Sequence, residues 1–127
     1  MKVLFVLNHE FHTARPSNHL FETLISRMLS AGWEVHTIEK HEKEQQSGPV
    51  GPVQGFETLT RHICRLRNVD KGRLARRYLA DLAHVFLCIR HYRKNRDSDA
   101  VFLQSCNMSY FHIIFLKSLI KAPILYN

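Results

Sequence analysis

Cysteine is sparse in this 127-residue chain, with only Cys64, Cys88 and Cys106. Their number is odd, they are widely spaced and no two form Cys-x-x-Cys, so neither a disulfide framework nor a zinc knuckle is indicated. A reducing cytoplasm is the expected setting, and no metal site is expected. Long apolar runs are missing as well. Leu79–Ile89 is interrupted by Asp81 and Tyr110–Ile120 by Lys117, so neither reaches the ~18 apolar residues that span a bilayer. Met1–Leu7 is basic and then apolar, but it runs straight into Asn8-His9-Glu10 without a small-residue cleavage site. It reads as a strand and not as a signal peptide. Glycine is absent from Asn8–Asn18, which removes both the dinucleotide G-x-G-x-x-G and the phosphate loop G-x-x-x-x-G-K-[ST]. A dehydrogenase or a P-loop enzyme is thereby disfavoured.

What is present is the composition of one globular domain covering residues 1–127, with 45% hydrophobic and 23% charged residues. The net charge of +7 is local: residues 61–96 hold 11 bases and 2 acids.

Lys2–Leu7 is a continuous apolar run suited to a strand buried on both faces. Asn8–Pro16 reads as a loop, and Ser17 or Asn18 as the cap of a helix that buries Phe21, Leu24, Ile25 and Met28 and carries Glu22 in its first turn. Ala31-Gly32 ends it. Glu34–Glu39 reads as a second strand, residues 40–55 as a flexible Gly/Pro loop, and Phe56–Leu66 as a third strand whose register is ambiguous. From Gly72 the pattern is helical, with Ala75, Tyr78, Leu82, Val85, Phe86, Ile89 and Tyr92 at three- and four-residue spacing. Asp97-Ser98-Asp99 turns the chain into a strand over Ala100–Leu103, followed by a helix over Tyr110–Lys121 and a strand over Pro123–Tyr126. Strands alternating with helices predict an α/β fold. The expected form is a Rossmann-like, doubly wound, mostly parallel sheet with helices on both faces, whose ligands bind at the carboxyl ends of the strands.

Those ends are Asn8–Pro16 and Gln104–Ser109. Asn8, His9, Glu10 and Arg15 in the first, and Gln104, Ser105 and Asn107 in the second, are polar residues suited to a hydroxylated or anionic ligand. His9 and Glu10 read either as solvated loop residues or as hydrogen-bonding groups and a general base for a hydroxyl. With His12 they do not make His-Glu-x-x-His, and no third ligand lies in sequence reach. His84, on an apolar helix, reads as a packing residue, and nothing in the sequence pairs Cys106 with a base.

The basic helix has three readings. Arg73, Arg76, Arg77, Arg90, Arg93 and Lys94 form a solvated charged surface, or, beside Tyr78, Phe86 and Tyr92, meet anionic lipid headgroups. Nucleic acid is the third reading, and no recognised motif accompanies it.

The stretches Met1–Asn8, Leu29-Ser30-Ala31-Gly32-Trp33-Glu34-Val35-His36-Thr37-Ile38, Asp99–Ser105 and Leu116–Tyr126 together resemble the amino-terminal domain of GT-B glycosyltransferases of family 4. Gly32-Trp33-Glu34-Val35 stands where that family commonly has Gly-His-Glu-Val. The resemblance implies transfer of a sugar from a nucleotide sugar, usually without a metal, in a cleft between two Rossmann-like halves, of which this one binds the acceptor. Asn8, His9, Glu10, Arg15, Gln104, Ser105 and Asn107 would then line the acceptor side. The donor-binding half, with its paired glutamates, has no counterpart in these residues. The expectation is a fragment of a longer transferase or a subunit docking on a donor-binding partner, with the end after a strand favouring the fragment. The chain would hold no cofactor itself, would be inactive alone, and would act on a saccharide or lipid-linked acceptor, as in cell-envelope polysaccharide assembly, in the cytoplasm or peripherally on the inner membrane face. The alternatives are a stand-alone non-catalytic α/β binding module and a basic membrane or nucleic-acid adaptor. A receiver-type domain lacks its acidic pocket, since only Glu10 is suitably placed.

Overall fold

The computed structural model describes residues 1–7, 11, 16–41, 53–65, 74–104 and 110–126. Strand β1 (Lys2–Val6) is followed by helix α1 (Pro16–Ser30), β2 (Glu34–His41), β3 (Thr60–Arg65), α2 (Leu74–Lys94), β4 (Ala100–Leu103), α3 (Tyr110–Leu119) and β5 (Ile124–Tyr126). The five strands form one sheet of order β3-β2-β1-β4-β5, and every pairing is parallel.

The apolar run of β1 explains its central place. Val3, Leu4, Phe5 and Val6 are at most 1% exposed, as a strand covered on both faces requires. Alternation along the strand divides the core into two layers. Val3, Phe5 and Leu7 pack with Phe21, Ile25 and Met28 of α1, whereas Leu4 and Val6 pack with Cys88 and Tyr92 of α2 and Leu116 of α3. Helices therefore cover both faces of the sheet.

The end of α1 is set by Gly32, whose φ of 78° is a conformation that side-chain-bearing residues seldom adopt. The Trp33 N–H donates to the Met28 carbonyl and the Gly32 N–H to that of Leu29, both at 3.0 Å. These two bonds are the Schellman pattern that satisfies the last helical carbonyls. Pro16 opens the helix, where its missing N–H costs nothing. Glu22 consequently falls in the second turn, not the first, and pairs with His19 at 3.6 Å.

Several boundaries and one helix face differ from the sequence expectation. β2 continues through Lys40 and His41, which pair with Cys64 and Arg65 of β3, so the expected 40–55 loop begins later; residues 42–52 lie outside the described residues. β3 is shorter than Phe56–Leu66. On α2 the buried face carries His84, Val85, Cys88 and Tyr92, while Tyr78 and Phe86 are 51% and 63% exposed. Tyr92 is withdrawn from any outer surface, and its hydroxyl accepts a hydrogen bond from the Lys121 N–H at 3.3 Å. Among the described residues, no helix is long and apolar enough to cross a membrane.

Candidate functional site

In this sheet order the chain winds outward from β1 in both directions, toward β2 on one side and β4 on the other. The helices that follow these two strands, α1 and α3, pack on opposite faces of the sheet, and in open parallel sheets ligands bind at the carboxyl ends of the strands at such a divide. The ladder continues into that edge. The Leu7 N–H donates to the Ile38 carbonyl at 2.8 Å, and the Gln104 N–H to the Val6 carbonyl at 3.1 Å. Gln104 is 1% exposed, so it forms part of the floor of the edge rather than a free surface group. Of the other residues expected here, Asn8, His9, Glu10, Arg15, Ser105 and Asn107 lie outside the described residues.

Near the carboxyl end of β2 sits a polar centre that the sequence did not disclose. Glu39, on the α1 side of β2, is fully buried. One carboxylate oxygen accepts from the Thr37 hydroxyl at 2.5 Å and from Arg61 Nε at 2.9 Å. The other accepts from Arg61 Nη2 at 2.6 Å and from the Phe11 N–H at 2.9 Å. Four donors fill the capacity of a carboxylate, so Glu39 is an anchor and has no lone pair left for general-base work. The bidentate pair with Arg61, whose side chain is 7% exposed, ties β2 to β3. The Phe11 hydrogen bond fixes the chain shortly after β1, and the Phe11 ring meets Phe56 edge-on at 4.9 Å.

Near the opposite edge, on the α2 side, three histidines converge. His36 places one ring nitrogen 2.7 Å from Glu34 Oε1 and the other 3.1 Å from His62 Nε2. The His62 ring lies 5.1 Å from that of His91, and Asn95 Nδ2 is 3.4 Å from His62 Nε2. Burial pushes the His62 imidazole down to about 4, with the positive potential of His91, His36, Lys94 and Lys2 acting in the same direction. Burial, Lys94 and Arg90 lower His91 as well. Unfolded, a histidine titrates near 6.5. Between those two values the folded chain binds fewer protons than the unfolded one, so stability rises with pH there. It is fully present above about 6.5 and is lost as the pH falls toward 4. Urea midpoints should therefore be flat above neutrality and decline through this window. His62→Gln should decline less, and an identical decline would remove His62 as the cause.

A third group, Cys64 on β3 with His84 and Cys88 on α2, is brought together in the layer between sheet and helices. Wide spacing of Cys64 and Cys88 in the sequence hides this grouping. The available signal was the four-residue spacing of His84 and Cys88, which places both on one helix face.

On the outer side of α2, Arg90 and Arg93 line an open groove together with Phe86, Ile89, Phe115 and Leu119. Lys94 is exposed on the same helix. Arg73 lies outside the described residues, as do the side chains of Arg76 and Arg77.

Compared with known proteins, the sequence matches no family model and no curated protein.

Proposed function

We propose that this chain is the Rossmann-like, acceptor-binding half of a GT-B glycosyltransferase. It presents a saccharide or lipid-linked acceptor to a donor-binding domain or subunit that holds the nucleotide sugar. The observation that carries this reading is the sheet order, with β1 at the divide between β2 and β4. In an open parallel sheet that divide is where ligands bind. Asn8, His9, Glu10 and Arg15 follow β1 in sequence, and Gln104, Ser105 and Asn107 follow β4. Amide, imidazole and carboxylate groups suit recognition of sugar hydroxyls. His9 or Glu10 would accept the proton of the attacking hydroxyl as its oxygen bonds to the anomeric carbon and the donor's sugar–phosphate bond breaks, the nucleotide leaving on the donor-binding side. The Glu39 anchor supports the reading by holding Phe11, which lies within that segment.

The outer face of α2 and α3 favours a lipid-linked acceptor at an anionic membrane surface. Phe86, Phe115 and Leu119 are 63%, 41% and 45% exposed beside Arg90 and Arg93. This combination of apolar contacts with cations complements anionic headgroups, at roughly 1 kcal/mol per basic residue.

One binding experiment tests both parts. The chain is floated with anionic phospholipid vesicles, with and without embedded lipid-linked oligosaccharide, and is separately titrated with nucleotide sugars. Capture should be salt-sensitive and strengthened by the saccharide, with no nucleotide-sugar binding. Replacing both Arg90 and Arg93 by Gln should weaken capture about 30-fold. Binding of nucleotide sugar without any response to saccharide would place the donor here and sink the proposal.

A further inference from the structure

Three soft or borderline donors converge where the chain is driest. Cys64, His84 and Cys88 are 1%, 0% and 0% exposed, and both thiols belong to the core layer that also contains Leu4, Val6 and Ile38. One ligand atom from each of the three residues lies within 4.8 Å of the other two. Cys88 Sγ and His84 Nε2 are 3.5 Å apart. Zinc–sulfur and zinc–nitrogen bonds of ~2.3 and ~2.0 Å, opened at a tetrahedral angle, put the two ligand atoms about 3.5 Å apart. The helical edge of the triangle therefore already has the dimension of a metal-coordination edge.

We propose that Cys64, His84 and Cys88 form a zinc site that clasps α2 to β3. Two thiolates and a neutral imidazole around Zn2+ carry no net charge, so the complex is compatible with a dry layer where a lone thiolate or a lone cation would be costly. The two thiol protons leave to solvent as the Zn–S bonds form. Without a metal, hydrogen bonding to Cys64 and burial hold the Cys88 thiol well above the ordinary range. Lys40, opposite Cys64 in the ladder, adds positive potential at Cys88. A Cys2His set leaves one tetrahedral position for water or a further group. The selectivity follows from the donors: thiolate and imidazole suit Zn2+, whereas Mg2+ and Ca2+ require oxygen ligands.

The full chain, purified under reducing conditions and passed through a desalting column, should retain one zinc per molecule. Replacement by Co2+ should give a thiolate-to-metal charge-transfer band in the near ultraviolet together with the intense visible bands of a tetrahedral site. Cys64→Ser, Cys88→Ser and His84→Gln should each weaken zinc retention against a chelator by more than the ~100-fold typical of outer-shell changes. Cys106→Ser should leave it unchanged. The cobalt spectrum of the unsubstituted chain decides the matter even if a core variant fails to fold. A spectrum without thiolate charge transfer overturns the proposal, as does a Cys64–Cys88 disulfide in peptide maps of the freshly isolated chain. Undiminished retention in the Cys64→Ser/Cys88→Ser double variant overturns it too.

Discussion

Glu39→Ala should cost about 3–5 kcal/mol of folding stability, the range for removing one partner of a buried ion pair. The loss is large because of what stays behind. Arg61 would keep its charge in a side chain only 7% exposed, and the Phe11 N–H and Thr37 hydroxyl would lose their common acceptor. Glu39→Gln should cost less, because an amide oxygen still accepts from some of these donors. The double variant Glu39→Leu/Arg61→Met should recover most of the loss, since apolar residues of similar volume often replace a buried pair at little cost. A double-mutant cycle from urea unfolding isolates the coupling. Additive effects of the two single substitutions would show that the pair is not acting as a unit. Amide exchange adds a local readout. In Glu39→Gln the Phe11 amide should lose protection while amides inside β1 keep theirs, because only the former depends on this carboxylate.

That centre also shows where sequence reading stops. β1 was legible because a strand covered on both faces needs apolar residues at every position, and Val3–Leu7 supplies them. The buried face of α1 was legible because Phe21, Ile25 and Met28 recur at helical spacing toward a single layer. The register of β3 was not, although its existence within Phe56–Leu66 was, since its buried polar groups are satisfied by partners distant in sequence: Arg61 by Glu39 and His62 by His36 and Asn95. A pattern that counts only apolar residues scores such positions as exposed. The same error rotated the expected face of α2. Counting Phe86 as core and leaving Cys88 out of the stripe put it about one residue out of phase: the helix buries Cys88, together with His84 as the packing residue expected, and exposes Phe86. A glutamate at an inward position of β2, with an arginine in the next strand, was the signal available for the anchor. The parallel register that sets Thr37 opposite Arg61 was needed to read it.

Phe5→Ala should be comparably damaging, at about 3–5 kcal/mol, for a reason unrelated to charge. Phe5 is fully buried at the middle of the central strand. Its ring stacks on Phe102 of β4 at 4.7 Å and meets Phe21 of α1 edge-on at 6.1 Å. Truncation removes the transferred apolar area and both aromatic contacts, and it leaves a void that strands held on either side cannot collapse to fill. Phe86→Ala makes the same chemical change on a ring 63% exposed, and should stay within about 0.5 kcal/mol of the unsubstituted chain. The contrast separates two uses of phenylalanine in one molecule. If Phe86→Ala leaves unfolding unchanged but weakens capture by anionic vesicles, the exposed ring acts in binding and not in folding. If it instead destabilises the chain as Phe5→Ala does, the outer face of α2 is covered within the fold, and the membrane-facing part of the proposed function fails with it.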